Sequence, residues 1–228
     1  MRSGIIILCR LSSTRLPGKI LKQIEGTTIL QHIHNRLAQV IPTTDIVIAT
    51  SDEASDDPIE AYCQHHKLQY YRGDLNNVAL RFLEASQAFG FDYAVRINGD
   101  NIFIDLDTLT KMIGICQKGD FDFISNVKNR TYPYGMSIEF VRVDFYKKLV
   151  ATLTDKDYQE HVTLYLYHHA QYGKQCHVFN TDCPEANGLR FAVDEKKDFE
   201  FATKVMAQLK AKAYQYNLKE LIEISEKL

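Results

Sequence analysis

The stretch Leu8-Cys-Arg-Leu-Ser-Ser-Thr-Arg-Leu-Pro-Gly-Lys19 holds the densest set of groups suited to an anionic ligand. Arg10, Arg15 and Lys19 supply three cations, two hydroxyl residues stand just before Arg15, and Pro17-Gly18 makes a turn. Such a loop offers charge and backbone N–H groups to a polyphosphate. It is not a P-loop, which needs glycine at position 13 and Ser or Thr at position 20, where this chain has Ser13 and Ile20. Nor is it a dinucleotide fingerprint, because no G-x-G-x-x-G follows the first strand. Two acids complement the loop. Asp100 closes Arg96-Ile-Asn-Gly-Asp100, and Asp194 closes Leu189-Arg-Phe-Ala-Val-Asp194, each behind a predicted strand. Carboxylates so placed suit Mg²⁺ or Mn²⁺, hard ions that take oxygen ligands shared between protein and phosphate. Two acids, a divalent ion and a basic loop make a consistent apparatus for transfer at phosphorus.

These residues need strand ends to hold them, and the chain supplies strands in alternation with helices. Apolar runs predict strands at 4–9, 45–50, 68–72 and 92–98, and 3.6-residue periodicity predicts helices at 28–40, 78–89 and 107–117. A short helix ending at His66 follows the acidic run 51–60, which reads as a solvated turn and helix start. The βαβα order predicts an α/β fold, a mostly parallel central sheet flanked by helices, with ligands at the strands' C-terminal ends. The second half is less regular. Strands are expected at 121–125, 137–141, 177–180 and 189–193, with helices at 157–172, 197–213 and 218–226. On the helix 157–172, His161, Tyr165, His168 and His169 fall at i, i+4, i+7 and i+8, so three of them would share a face. They are read as an aromatic surface rather than a metal site, since no cysteine or carboxylate recurs at metal-ligand spacing. No linker or repeat divides the chain, so one domain spans 1–228.

Composition narrows the classes. The chain has 228 residues, with 27 Lys+Arg against 29 Asp+Glu, a net charge of −2. That balance argues against a general nucleic-acid surface. No run approaches the roughly 20 apolar residues of a membrane span. The five cysteines are scattered without a C-x-x-C pair, which predicts reduced thiols and a cytoplasmic setting.

Taken together, the blocks resemble the sugar cytidylyltransferase family. Arg10-Leu-Ser-Ser-Thr-Arg-Leu-Pro-Gly-Lys19 is similar to its A-R-x-x-S-x-R-L-P-G-K signature. Val47-Ile-Ala-Thr-Ser-Asp52 and Tyr71-Arg-Gly73 resemble the next blocks, and Arg96-Ile-Asn-Gly-Asp100 the metal-binding R-I-T-G-D. Arg130-Thr-Tyr-Pro-Tyr-Gly135 and Glu160-His-Val-Thr163 are similar to the branch typified by spore coat polysaccharide biosynthesis protein F.

The resemblance implies a single Rossmann-like, GT-A-like nucleotidyltransferase domain that uses CTP and Mg²⁺ to activate an acidic, nonulosonate- or Kdo-like sugar. It further implies a homodimer, with 127–180 as the acceptor-sugar or dimerisation subregion. Carried over by position, Leu8, Cys9, Arg10, Ser51, Asp52, Arg72, Gly73 and Asn98 would hold the nucleotide. Arg15 and Lys19 would neutralise its triphosphate, Asp100 and Asp194 would hold the metal, and Tyr134, Glu139 and His161 would meet the sugar. Three departures stand out: Cys9 for the usual Ala, Asn98 for Thr, and Glu195-Lys-Lys-Asp198 for T-P-E-D. The alternative is a GT-A-type glycosyltransferase that consumes a nucleotide sugar and uses Asn98-Gly-Asp100 for its metal.

Overall fold

The computed structural model describes residues 1–209 and 214–228. In chain order its elements are β1 (Ser3–Leu8), β2 (Gln23–Ile24), β3 (Thr27–Thr28), α1 (Ile29–Leu37), β4 (Ile46–Ser51), α2 (Asp57–His66), β5 (Gln69–Gly73), α3 (Val78–Ala88), β6 (Tyr93–Asn98) and α4 (Leu106–Cys116). The second half adds β7 (Phe123–Ser125), β8 (Glu139–Arg142), α5 (Val143–Val150), α6 (Lys156–Glu160), α7 (Leu164–His168), β9 (Gln175–His177), α8 (Lys196–Leu209) and α9 (Leu218–Ser225).

Seven strands form one sheet in the order β5-β4-β1-β6-β8-β7-β9, and β2 and β3 make a small separate hairpin. The first four are parallel, β8 runs antiparallel to both β6 and β7, and β9 is parallel to β7. The apolar runs lack alternation because both sheet faces are covered. Ile5 and Ile7 of β1 point to one buried cluster with Ile33, Leu109 and Val205, and Ile6 and Leu8 point to another with Phe82 and Tyr146. Helix starts carry their own caps. Thr28, Asn77 and Asp105 accept from the backbone of Gln31, Leu80 and Thr108, and Asn217 forms a capping box with Glu220. The buried Arg36 donates to the carbonyls of Ile104, Tyr214 and Tyr216 and stacks over the Tyr216 ring, so α1 holds the chain just before α9. Among the described residues, no helix is long and apolar enough to cross a membrane.

The first half follows expectation, except that the sequence reading lacks the hairpin β2-β3 and that α1 ends at Leu37 rather than residue 40. The second half departs from it. The expected helix 157–172 is two short helices, α6 and α7, broken at His161-Val162-Thr163. The break has a tertiary cause: Val162 is buried and its carbonyl accepts the Tyr146 hydroxyl, while the Thr163 hydroxyl donates to Glu139. His161 therefore leaves the proposed shared face, although Tyr165 still stacks on His169. The strand expected at 177–180 lies at 175–177. The stretch 189–193 forms no strand, only a single bridge between Arg190 and Tyr134. Sequence reading missed α5 altogether. Of the helix expected at 197–213, α8 covers all but the last four residues, which lie outside the described residues.

Candidate active site

The cation-rich loop leaves the C-terminal end of β1 in the middle of the sheet. The carbonyl of Leu11 accepts from the N–H groups of Ser13 (2.8 Å) and Gly18 (3.0 Å), which closes the base of the loop. Gly18 has φ +65°, a left-handed conformation that glycine enters without strain, and it begins the tight turn 19–21. Leu16 is buried and anchors the loop, while Arg15 projects outward. The loop is also tied to the neighbouring strand by Asp56, fully buried, whose carboxylate accepts from the Leu11 N–H at 2.7 Å, the Ser51 N–H at 3.1 Å and the Thr50 hydroxyl at 3.0 Å.

The acid loop leaves the end of β6, directly beside β1. The Gly99 N–H donates to the carbonyl of Leu8 at 2.8 Å. A Cβ on Gly99 would stand 2.8 Å from Cys9 Cβ and 3.0 Å from Ile20 Cδ1, so only glycine lets the two loops close on each other. Asp100 then captures the second acid's segment, its carbonyl accepting from the Val193 N–H at 3.0 Å. That segment is held from behind as well. Tyr134 and Phe191 pair backbones, and Gly135 (φ +92°) lies so close that a Cβ would come 2.3 Å from Ala192 N. Asp198 accepts from the N–H groups of Asp194 and Glu195, fixing the start of α8 without the missing proline.

Lys19 joins the two acids. Its ammonium stands 2.9 Å from Asp194 Oδ1 and 3.9 Å from Asp100 Oδ2, and it donates to the Val193 carbonyl at 2.9 Å. Arg15 reaches Asp194 Oδ1 at 3.2 Å, and Arg190 reaches Oδ2 at 2.5 Å. The two carboxylates consequently behave differently. Burial raises the pKa of Asp100, with Lys19 opposing and the Asp194 charge adding to the rise. Burial pushes Asp194 the same way, but the hydrogen bond and charge of Lys19, with Arg15 and Arg190, outweigh it and hold that carboxyl below its usual range. Asp100 Oδ1 is buried and has no hydrogen-bond partner. An orphaned carboxylate oxygen beside a second carboxylate fits a divalent cation, whose remaining ligands would come from phosphate and water.

The loops enclose a cavity of about 390 Å³, lined by Leu8, Cys9, Arg10, Arg15, Lys19, Asn98, Asp100 and His161 among others. A second cavity of about 530 Å³ adjoins it, sharing Asn98 and His161 and adding Arg96, Arg130, Ser137 and Tyr167. Its wall contains a buried polar network. Glu139 is 1% exposed, pairs with Arg96, and accepts from the Thr163 hydroxyl (2.7 Å) and the Tyr167 hydroxyl (2.5 Å). Burial, reinforced by Glu139, pushes the Tyr167 phenol's pKa upward, so it remains a donor.

The structure thus brings Leu8, Cys9, Arg10, Arg15, Lys19, Asn98, Asp100 and His161 around one cavity, with Asp194 at its edge through Lys19. It does not bring the Arg72 side chain there. That guanidinium pairs with Glu60 and Asp57 and donates to the carbonyls of Ser51 and Glu53. The Ser51 hydroxyl donates to Asp56. Asp52 is exposed, and its N–H donates to the Gly73 carbonyl at 2.9 Å. Tyr134 is exposed and stacked under Arg130. Glu139 lines the second cavity but is already saturated. Sequence reading missed Asp56 and Arg190. Asp56 was hidden in an acidic run that reads as solvated, and Arg190 could have been noticed four residues before Asp194.

The model of the family described as Cytidylyltransferase matches residues 4–226. Spore coat polysaccharide biosynthesis protein SpsF of Bacillus subtilis (strain 168) is 34% identical over 207 residues, covering 86% of this chain and 82% of that protein. An 8-amino-3,8-dideoxy-manno-octulosonate cytidylyltransferase of Shewanella halifaxensis (strain HAW-EB4) is 28% identical over 127 residues, 54% of this chain and 51% of that one. A solved cytidylyltransferase from Leptospira borgpetersenii serovar Hardjo-bovis (strain JB197) superposes with a TM-score of 0.92 at 28% identity, covering 100% of this chain and 94% of that one. The chain belongs to the cytidylyltransferase family of nucleotidyltransferases.

Proposed function

We propose that the chain transfers CMP from CTP to an acidic sugar, giving a CMP-sugar and pyrophosphate for surface polysaccharide or glycan biosynthesis. The observation that carries this reading is Lys19, at the wall of a cavity lined by the cation-rich loop, set between Asp100 and Asp194. The second cavity supports a sugar acid as the acceptor. Its buried carboxylate is neutralised internally by Arg96, which leaves Arg130 and His161 facing the space. The names of SpsF and the octulosonate enzyme supply the sugar context.

In this mechanism the triphosphate lies against the loop 8–19 and the acceptor hydroxyl approaches the α-phosphorus from the second cavity. Attack forms the new O–P bond as the bond to pyrophosphate breaks. Arg15 and Lys19 offset the charge that grows on the leaving group. Asn98 and His161, common to both cavities, orient the two substrates. Asp100 and Asp194 would hold Mg²⁺ or Mn²⁺, which when bound adds positive charge at the α-phosphate and favours ionisation of the hydroxyl. The test is pyrophosphate release with each of the four NTPs against a panel of sugar acids. Release confined to CTP with one class of sugar acid is expected. Hydrolysis of a nucleotide sugar without pyrophosphate release would overturn the reading.

A further inference from the structure

Arg81 is a buried cation for which the phosphate chemistry has no use. It stands on α3, is 2% exposed, and makes no ion pair among the described residues. Its Nη1 donates to the carbonyls of Asp74 (2.5 Å) and Leu75 (3.4 Å), but its Nε is buried without an acceptor. Leaving a guanidinium donor unmatched in the interior is costly. Burial accordingly lowers its pKa, and the nearby positive charge of Arg10 lowers it further. Fixing the loop 73–77 accounts for Nη1 alone.

Its surroundings suggest what would satisfy it. Arg81 lines a cavity of about 160 Å³ with Leu8, Cys9, Arg10 and Val78, and the first three of these also line the larger nucleotide cavity. The approach is built for it. A Cβ on Gly73 would stand 3.2 Å from Arg81 Cγ and 3.0 Å from the Tyr71 ring, so glycine leaves the space through which the arginine stem passes.

Resting on the nucleotide-site reading above, we propose that Arg81 sets base specificity, its guanidinium donating to the O2 and N3 edge of cytosine and rejecting uracil. Cytosine presents two adjacent acceptors there, a match for a forked donor. Uracil carries a hydrogen on N3, which would oppose one of the guanidinium N–H groups. A site built to donate discriminates strongly, because the wrong ligand leaves its donors unpaired.

Calorimetric binding of CTP, UTP, 3-deaza-CTP and pyrophosphate to wild type and Arg81→Met tests this. Wild type is expected to bind CTP about 10- to 100-fold more tightly than UTP or 3-deaza-CTP, as a lost bidentate pair implies. Arg81→Met should bring CTP down to parity with UTP and leave pyrophosphate binding unchanged. A folded variant that keeps the wild-type CTP preference overturns the proposal. If Arg81→Met fails to fold, wild type decides: weakened 3-deaza-CTP binding supports the assignment, and binding equal to CTP overturns it. Wild type that binds pyrophosphate but no nucleotide removes the nucleotide-site reading itself, and this proposal with it.

Discussion

The ammonium of Lys19 stands 2.9 Å from Asp194 Oδ1, a contact across 175 residues of sequence. Lys19 and Asp194 meet because Gly99 lets the β1 and β6 loops close and Asp100 draws Val193 in by its backbone. The same cation is the one proposed to face the triphosphate. Lys19→Ala should therefore lower kcat/KM for CTP by about 100- to 1,000-fold, the usual cost of one charge-stabilising donor. Steady-state pyrophosphate release measures this, and an unchanged value would remove Lys19 from the chemistry.

Asp56 ties the cation-rich loop to β4 from full burial. Asp56→Ala leaves the N–H groups of Leu11 and Ser51 without their partner. The expected loss is about 3 kcal/mol, since hydrogen bonds to charged groups exceed neutral ones and the orphaned donors stay buried. Urea unfolding gives the stability, and the KM for CTP should rise in parallel as the base of the loop loosens. A variant as stable as wild type would mean that Asp56 does not hold the loop.

Glu139 and Arg96 test the wall of the second cavity. Glu139→Gln strands a largely buried guanidinium, at a cost of about 3–5 kcal/mol. Adding Arg96→Met to it should cost less than the sum of the single changes, because no unmatched charge remains. A double-mutant cycle in urea measures the coupling. Strict additivity would show that the pair is not a unit.

Acid should destabilise the fold through its buried histidines. His34 is 4% exposed with neither ring nitrogen partnered, and burial depresses its pKa below 6.5. His32 and His177 shift the same way for the same first cause. The unfolded chain takes up these protons more readily than the folded one, so stability is full above pH 6.5 and falls as the pH drops below it. Each such group steepens the fall by at most about 1.4 kcal/mol per pH unit. His34→Leu should flatten the curve between about pH 5 and 6.5, a window above the ordinary carboxylate range. Superimposable curves for variant and wild type would contradict this.

Much of the first half was legible because its strands are buried on both faces and its helices carry periodic apolar stripes and side-chain caps. Ile5 to Leu8 and Ile46 to Ala49 announce a parallel sheet, and ligand loops must then lie at the strand ends. The second half was not legible because its conformation answers to distant partners. No local pattern reveals that Thr163 must leave a helix to reach Glu139, or that 189–193 is held by Tyr134 and Gly135 rather than by a strand neighbour. Residue types picked out the cations and acids that the structure brings together at the candidate site. They did not show that Arg72 is turned toward Glu60, or that Asp56 is a buried anchor.

The most direct measurement of the central claim is pyrophosphate release from CTP and a sugar acid by Asp100→Asn and Asp194→Asn, run beside calorimetric CTP binding to the same variants. Both substitutions remove a carboxylate charge proposed to hold the metal and keep the side chain's shape. The predicted result is loss of turnover in each with CTP still bound. Near-wild-type turnover in both would contradict the assignment of the two carboxylates.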